Sequence, residues 1–328
     1  MTPPTPDLIM QHLLGYLSSQ YLCVANDAGL FPALRDGPQT LDQLATRLSM
    51  PRRMVRILAD ALVAVGFLVR EGDHYRNGIE TATFLAGAPG PDLRPALRMW
   101  HRFLPKRWSR LDEGLRTGRS LHGFADFTSE DQALFSDGVG AFTAGAALAL
   151  ARSYDFTRHQ ALLDLGGGTG SFLTAIRERA PHLRAALVEL PSAIETIRQR
   201  LAATPGGDAI ELIPGDVFVG DLPRGYDAVL LANVVHIFSP EHNCQLLSRI
   251  HGTVAPGARL LLVDFWTNQT HTEPAYAALM AAEFQMVSGE GDVYSLEEIQ
   301  AWLDATRWRF VEHRPLIGPA SLVVAEAG

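Results

Sequence analysis

Leu162-Leu163-Asp164-Leu165-Gly166-Gly167-Gly168-Thr169-Gly170-Ser171-Phe172 is the stretch that decides the fold of this chain. A short apolar run with the length of a buried strand leads into a glycine turn, and a helical pattern starts at Ser171. Glycines let the chain turn with φ values that other residues resist, and they let a ligand reach the backbone with no Cβ in the way. Their spacing separates ligands. A dinucleotide loop runs G-x-G-x-x-G and opens a helix N-terminus onto a pyrophosphate. Here Gly166, Gly168 and Gly170 alternate and Asp164 stands just ahead of them, which suits a cofactor with no phosphate.

From Ala161 onward strands and helices alternate, the mark of a parallel sheet covered on both faces. Strands are expected near 161–165, 184–189, 209–213, 226–232, 259–265, 309–314 and 321–326, with helices at about 171–180, 191–203, 240–254, 273–287 and 295–305. The expected fold is α/β, a Rossmann-like doubly wound seven-stranded sheet over 153–328. Two further carboxylates stand at strand ends. Glu189 follows Gly170 by 19 residues and closes the strand through Ala185-Ala186-Leu187-Val188, placed to take both hydroxyls of a ribose. Asp216, in Pro214-Gly215-Asp216-Val217-Phe218, is placed to accept from an adenine amino group while Val217 or Phe218 covers the ring. Any one of these acids can be a turn residue. S-adenosylmethionine carries an ammonium and a sulfonium, and Coulomb attraction favours carboxylates around such a cation, the more so where water is excluded.

Ahead of this domain the pattern is mainly helical. From Leu8 to about Leu34 the apolar residues Leu13, Leu14, Leu17, Tyr21, Val24 and Ala28 recur at helical spacing, and this amphipathic helical stretch ends at Gly29-Leu30-Phe31. Thr40 reads as an N-cap for a helix through Arg47, and a second helix runs from Arg52 to Val65. Phe67-Leu68-Val69-Arg70 and His74-Tyr75-Arg76 flank Glu71-Gly72-Asp73 as a small hairpin. Helix, turn, helix and hairpin make a winged-helix unit over 1–100. Its nine Arg are matched by nine Asp plus Glu, so it lacks the basic stripe of a DNA reader and fits a dimerisation and lid module better. Residues 101–152 are a helical connector, and Ser153-Tyr154-Asp155-Phe156-Thr157 is the expected linker to the sheet. Trp100, His101, Phe103 and Phe142 are suited to lining a flat pocket or to packing the joint between domains.

Composition narrows the classes. The chain of 328 residues is 47% hydrophobic and 20% charged, has no low-complexity tract, and suits two globular domains. A net charge of −8, with Lys106 the only lysine, disfavours a nucleic-acid partner. Cys23 and Cys244 are too few for a disulfide framework or a zinc cluster, and the histidines show no ligand spacing, so no metal site and a cytoplasmic setting are expected. Met1-Thr2-Pro3-Pro4-Thr5-Pro6-Asp7 lacks the pattern of a signal peptide, and no run of 18 apolar residues occurs, so no membrane is expected.

The loop 164–170, Val188-Glu189-Leu190-Pro191, Gly215-Asp216-Val217-Phe218, Leu222-Pro223 with Tyr226-Asp227-Ala228-Val229, and Asn233-Val234-Val235-His236 together resemble class I methyltransferases. Over nearly its whole length the chain is similar to the caffeate, acetylserotonin and hydroxyneurosporene O-methyltransferase family. That resemblance implies S-adenosylmethionine as methyl donor, S-adenosylhomocysteine as product, a homodimer built through the N-terminal module, and a small aromatic acceptor from secondary metabolism. It makes His236 the general base that takes the acceptor's proton. A phenol with a pKa of about 10 is a poor nucleophile when neutral, and an imidazole with a pKa near about 6.5 can receive its proton during attack. Two acids flank this histidine in the family. Asp264 matches the first, and Glu290 and Asp292 are candidates for the second. Met280, Phe284 and Met286 join the candidates for the acceptor pocket. The family pattern His-Asp-Trp-Ser-Asp-Glu is replaced by His236-Ile237-Phe238-Ser239-Pro240-Glu241, and Ala232 stands where plant members carry a lysine near the adenine.

Other outcomes compatible with this cofactor fold are N- or C-methylation, decarboxylation, hydroxylation or rearrangement. A ligand-sensing regulator is a more distant alternative, resting on Arg52, Arg53 and Arg56 in the second helix of the winged unit. An NAD-dependent oxidoreductase would need the other glycine spacing.

Overall fold

In the strands of the C-terminal sheet, alternate side chains serve two different cores, because successive residues of a strand point to opposite faces. Leu163, Leu165, Ala186, Val188, Val229, Leu231, Leu260, Leu262, Val323 and Ala325 bury one face in a cluster with Leu246, Ile250 and Trp308. Leu162, Leu187, Leu230 and Leu261 between them are fully buried as well, so both faces are covered.

The computed structural model describes residues 3–328, leaving the first two residues of the N-terminal stretch outside the described ones. The chain divides into two compact units, one reaching to Pro105 and including Asp137–Phe142, the other made of Lys106–Ser136 and Thr143–Gly328.

In the first unit α1 spans Asp7–Asp27 and α2 Leu30–Ala33. The first helix stops just ahead of Gly29, where its end is expected, because Gly29 takes φ +75, a left-handed conformation that glycine adopts without strain. Next come β1 (Gln39–Thr40), α3 (Leu41–Leu48), α4 (Arg52–Ala64), β2 (Leu68–Glu71), β3 (His74–Asn77), α5 (Ile79–Phe84) and α6 (Arg94–Trp108). Thr40 caps α3 through a reciprocal box with Gln43. Val55, Leu58, Ala59 and Leu62 form the buried stripe of α4, at the helical spacing that the sequence shows. The expected hairpin β2–β3 is joined by β1 into a three-stranded antiparallel sheet, completing the winged-helix pattern.

After α7 (Leu111–Thr117), α8 runs over Ser129–Ser153, the one helix among the described residues long and apolar enough, by length and composition, to cross a membrane. Ala146, Ala147, Leu150 and Ala151 of this helix are buried within the fold. The expected linker 153–157 is a packed turn, because Tyr154 and Phe156 bury against each other at 4.9 Å and the Tyr154 hydroxyl bonds His159 Nε2 at 2.9 Å.

The second unit continues with β4 (Ala161–Leu165), α9 (Ser171–Arg179), β5 (Arg184–Glu189), α10 (Ile194–Ala202), β6 (Ile210–Pro214), β7 (Ala228–Ala232), α11 (Pro240–His251), β8 (Arg259–Phe265), α12 (Ala275–Ser288), α13 (Leu296–Ala305), β9 (Trp308–Ile317) and β10 (Ala320–Ala327). The seven strands lie in the order β6-β5-β4-β7-β8-β10-β9, parallel except for β10, which is antiparallel to both of its neighbours. The order reverses between β4 and β7. Such a switch point opens a crevice beyond the strands' C-terminal ends, and ligands of these sheets bind there.

Candidate active site

The loop Gly166–Gly170 leaves β4 at that crevice. Gly166, Gly168 and Gly170 take φ values of +68, +52 and +74, which explains their alternation. Gly167 is needed for room: a Cβ there would lie 2.6 Å from Asp164 Oδ2 and 2.8 Å from Leu187 Cδ1. Across the loop, Glu189 Oε2 accepts the Gly168 N–H at 3.1 Å and Oε1 accepts that of Leu190 at 2.8 Å, so the end of β5 is pinned to the glycine turn.

Asp164 is fully buried, and neither of its carboxylate oxygens has a hydrogen-bond partner among the described residues. Burial, with the neighbouring charge of Glu189 as a second cause, pushes its pKa up to about 8. A buried carboxylate without a partner is costly, and a cation delivered to this spot relieves the cost. An acid orphaned beneath a glycine cradle fits the ammonium of S-adenosylmethionine.

Asp216 follows β6 and accepts the Phe218 N–H at 2.8 Å in a tight turn. Val217 and Phe218 pack against the sheet core. Phe218 meets Phe238 edge-on at 4.9 Å and the His242 ring at 5.3 Å. Phe238 occupies the position of the family's tryptophan. Pro240, the other departure, sits in the first turn of α11 behind the N-cap Ser239, where a missing N–H costs nothing.

His236 is delivered by the turn Val235–Ile237 just past β7. Asn233 makes the bend with φ +58, a conformation asparagine tolerates, and its N–H bonds Val263 O at 2.8 Å. His236 Nδ1 lies 2.6 Å from Asp264 Oδ1 at the end of β8, and Asp264 Oδ2 accepts the backbone N–H of His236 at 3.3 Å. With Nδ1–H directed at the carboxylate, the lone pair is on Nε2, which makes no hydrogen bond among the described residues. Phe284 of α12 stacks on the imidazole at a centroid distance of 3.7 Å and 17°.

Glu290 does not join this pair. Its carboxylate takes His242 Nδ1 at 2.8 Å. The neighbouring loop reaches His236 through its backbone, where the Asp292 N–H bonds His236 O at 3.1 Å. Gly291 permits that approach, since a Cβ there would lie 2.4 Å from His236 O. Asn243, buried in α11, was not singled out from the sequence; its amide donates to Val235 O and Phe238 O at 3.0 Å and staples the turn that carries His236. A polar residue in the interior of an amphipathic helix was the available signal.

The pattern of an O-methyltransferase domain matches residues 114–308, and that of an O-methyltransferase dimerisation domain matches residues 10–87. The chain belongs to the O-methyltransferase family. This methyltransferase is 29% identical to the tetracenomycin polyketide synthesis 8-O-methyl transferase TcmO of Streptomyces glaucescens, over 99% of this chain and 98% of that one. It is 30% identical to a 3-hydroxy-5-methyl-1-naphthoate 3-O-methyltransferase of Streptomyces sahachiroi, over 92% of this chain and 90% of that one. Among solved structures, PigF with SAH superposes with a TM-score of 0.84 at 28% identity, covering 99% of this chain and 100% of that one. The enzyme uses S-adenosylmethionine, as the fold, the family and the cradle at Asp164 agree.

The residues expected to line an acceptor pocket are divided in the methyltransferase. In the first unit Trp100 and Phe142 lie 6.0 Å apart and line an apolar cavity of about 220 Å³ with Leu22, Phe67, Phe84 and Leu97. Phe103 is fully buried there. In the second unit Phe284 covers His236, Met280 is half-buried, and Met286 packs near Gly114 and Leu121.

Proposed function

We propose that the enzyme transfers the methyl group of S-adenosylmethionine to a phenolic hydroxyl of a small, flat aromatic acceptor in secondary metabolism, with His236 as general base. The observation that carries this is the buried His236–Asp264 pair beside the glycine loop, with Nε2 left as the free nitrogen. Bound S-adenosylmethionine supplies an electrophilic methyl on sulfonium. Asp164 would hold its ammonium, Glu189 its ribose hydroxyls, and Asp216 with Val217 or Phe218 its adenine. Asp264 fixes the tautomer of His236 and stabilises the imidazolium as the acceptor's proton arrives at Nε2. Phe284, with Met280 on the same helix, provides apolar surface for an aromatic ring. The names of the two relatives, one an 8-O-methyl transferase of tetracenomycin polyketide synthesis and the other a methyltransferase of a hydroxynaphthoate, support the same class.

The enzyme works as a homodimer built through residues 1–100, with 101–152 as connector and 153–328 as cofactor domain. The matched dimerisation pattern and the exposed Leu13, Leu14 and Leu17 of α1 support this. The reading without a nucleic-acid partner is supported by the net charge of −8 and by the carboxylates beside two arginines of the winged unit, Arg52 with Asp42 at 2.6 Å and Arg56 with Asp60 at 3.0 Å. A cytoplasmic setting fits the two free thiols, Cys23 and Cys244.

The test is a product screen by mass spectrometry with naphthols and hydroxynaphthoates, alongside matched arylamines and carbon acids. O-methylated product from the phenols alone, lost in His236→Ala, supports the proposal. Methylation confined to amine or carbon overturns the choice of acceptor.

A further inference from the structure

Glu283 is the only charged residue of α12, and its side chain is almost entirely buried. Arg107, buried at the end of α6, forms an ion pair with Glu283 through Nη1, while Trp108 Nε1 donates to Glu283 Oε2 at 2.8 Å. Arg107 Nε also donates to His122 O at 3.1 Å, tying the start of the segment 107–123 to its end. The same segment holds the following turn of α12. Gln285 Nε2 donates to Gly118 O at 2.9 Å, and Met286 O accepts the Leu121 N–H at 2.8 Å and the Ser120 hydroxyl at 2.9 Å. At Gly123 a Cβ would lie 2.4 Å from Val287 O, so strap and helix are in close contact there too. Positions 283, 285, 286 and 287 are thus all bound to one strap. Phe284, between them, lies on the imidazole of His236.

We propose that Arg107 is a positioning residue for His236, acting through Glu283 and the ring of Phe284. This rests on His236 being the base. Arg107 and Trp108 fix the turn of α12 that sets Phe284 over one face of the imidazole. The ring stays in line with Asp264, its Nε2 edge is left for the acceptor, and the face of Phe284 attracts the imidazolium that proton transfer creates. A guanidinium suits the task because its planar fork makes bonds of fixed direction, and loss of either partner leaves a buried charge unpaired, so α12 shifts.

The test measures carbethoxylation of His236 by diethyl pyrocarbonate, followed by peptide mass spectrometry, with calorimetric binding of S-adenosylhomocysteine as the check on each variant's fold. Phe284→Ala uncovers the imidazole and raises the modification rate about tenfold. Arg107→Met raises it about fivefold with cofactor affinity retained, and Arg107→Lys, which restores one charged contact, stays within about twofold of the wild type. Should Arg107→Met fail to bind S-adenosylhomocysteine, Glu283→Gln replaces it in the comparison, since an amide weakens the same contact without leaving a buried carboxylate. A folded Arg107→Met or Glu283→Gln variant whose His236 reacts at the wild-type rate overturns the proposal, as does an unchanged rate in Phe284→Ala. Full methyl transfer by His236→Ala overturns the base assignment instead, and leaves the carbethoxylation comparison standing.

Discussion

Asp264 grips His236 twice, its Oδ1 at 2.6 Å from the ring Nδ1 and its Oδ2 accepting the backbone N–H at 3.3 Å. One carboxylate therefore sets both the tautomer of the ring and the turn that presents it. Asp264→Asn can offer an N–H where the ring needs an acceptor, and lowers kcat about 10²–10³-fold, while His236→Ala lowers it about 10²–10⁴-fold. Glu290→Gln leaves kcat within about threefold, because that carboxylate holds the half-exposed His242. Steady-state kinetics on the acceptor found by the product screen checks all three. A large loss in Glu290→Gln would return that residue to the base.

Asp164 makes folding and cofactor binding respond oppositely to one substitution. Its carboxyl ionises near about pH 4 in an unfolded chain but keeps its proton to about pH 8 in the fold. Between those values the folded state binds more protons than the unfolded one, so this group's contribution to stability falls as pH rises. Asp164→Asn keeps the shape without the charge. Its ligand-free melting midpoint exceeds the wild type's by a margin that widens from about pH 5.5 to about pH 8. Saturating S-adenosylmethionine reverses the order, since binding stabilises only the form that binds. Scanning calorimetry at several pH values measures both effects, and a margin independent of pH contradicts the assignment of the buried charge.

Much of this architecture is legible in the sequence. Strands 161–165, 184–189 and 259–265 match the sequence expectation residue for residue, because buried parallel strands write themselves as short apolar runs closed by glycine or acid. Asp164, Glu189 and Asp216 likewise fall where their spacing predicts, in β4, at the end of β5 and just after β6. Contacts distant in sequence were not legible. Arg107 and Glu283 are 176 residues apart, and neither carries a periodic signal pointing to the other. Glu290 was drawn towards His236 because the loop 288–294 offers two acids and no repeating pattern to fix which way each points. The fold sends the main chain of Asp292 to His236 and the side chain of Glu290 to His242. The packing of Tyr154 and Phe156 is illegible for a related reason, since a turn built of buried rings looks in sequence like a turn of any other kind.

The glycine loop separates steric need from conformational need. Gly167→Ala forces a Cβ to 2.6 Å from Asp164 Oδ2 and costs about 1–3 kcal/mol of stability as overpacking. Gly168→Ala meets nothing within 4 Å and pays only for its φ of +52, roughly 1 kcal/mol. The ligand-free protein therefore melts lower with Gly167→Ala than with Gly168→Ala. Both lose affinity for S-adenosylhomocysteine in titration calorimetry, Gly168→Ala by more than about tenfold, because its methyl projects into the open side of the cradle. Wild-type affinity in Gly168→Ala would put the cofactor elsewhere.

Leu13 and Leu17 lie one turn apart on α1 and are 63% and 50% exposed in the protomer, beside Leu14 and Tyr16 in the same condition. An apolar row this continuous on a surface helix is a face built for contact, and the dimerisation pattern over residues 10–87 includes it. Leu13→Glu with Leu17→Glu places two carboxylates on that face without touching the core around Leu44, Leu58 and Leu62. The protomer keeps its fold while self-association weakens by at least about 3 kcal/mol, enough to shift a micromolar dimer to monomer at working concentrations. Light scattering behind size exclusion reads the mass directly: two chains for the wild type, one for the double variant. A variant that still runs as two chains would mean that α1 is not the face on which the copies meet.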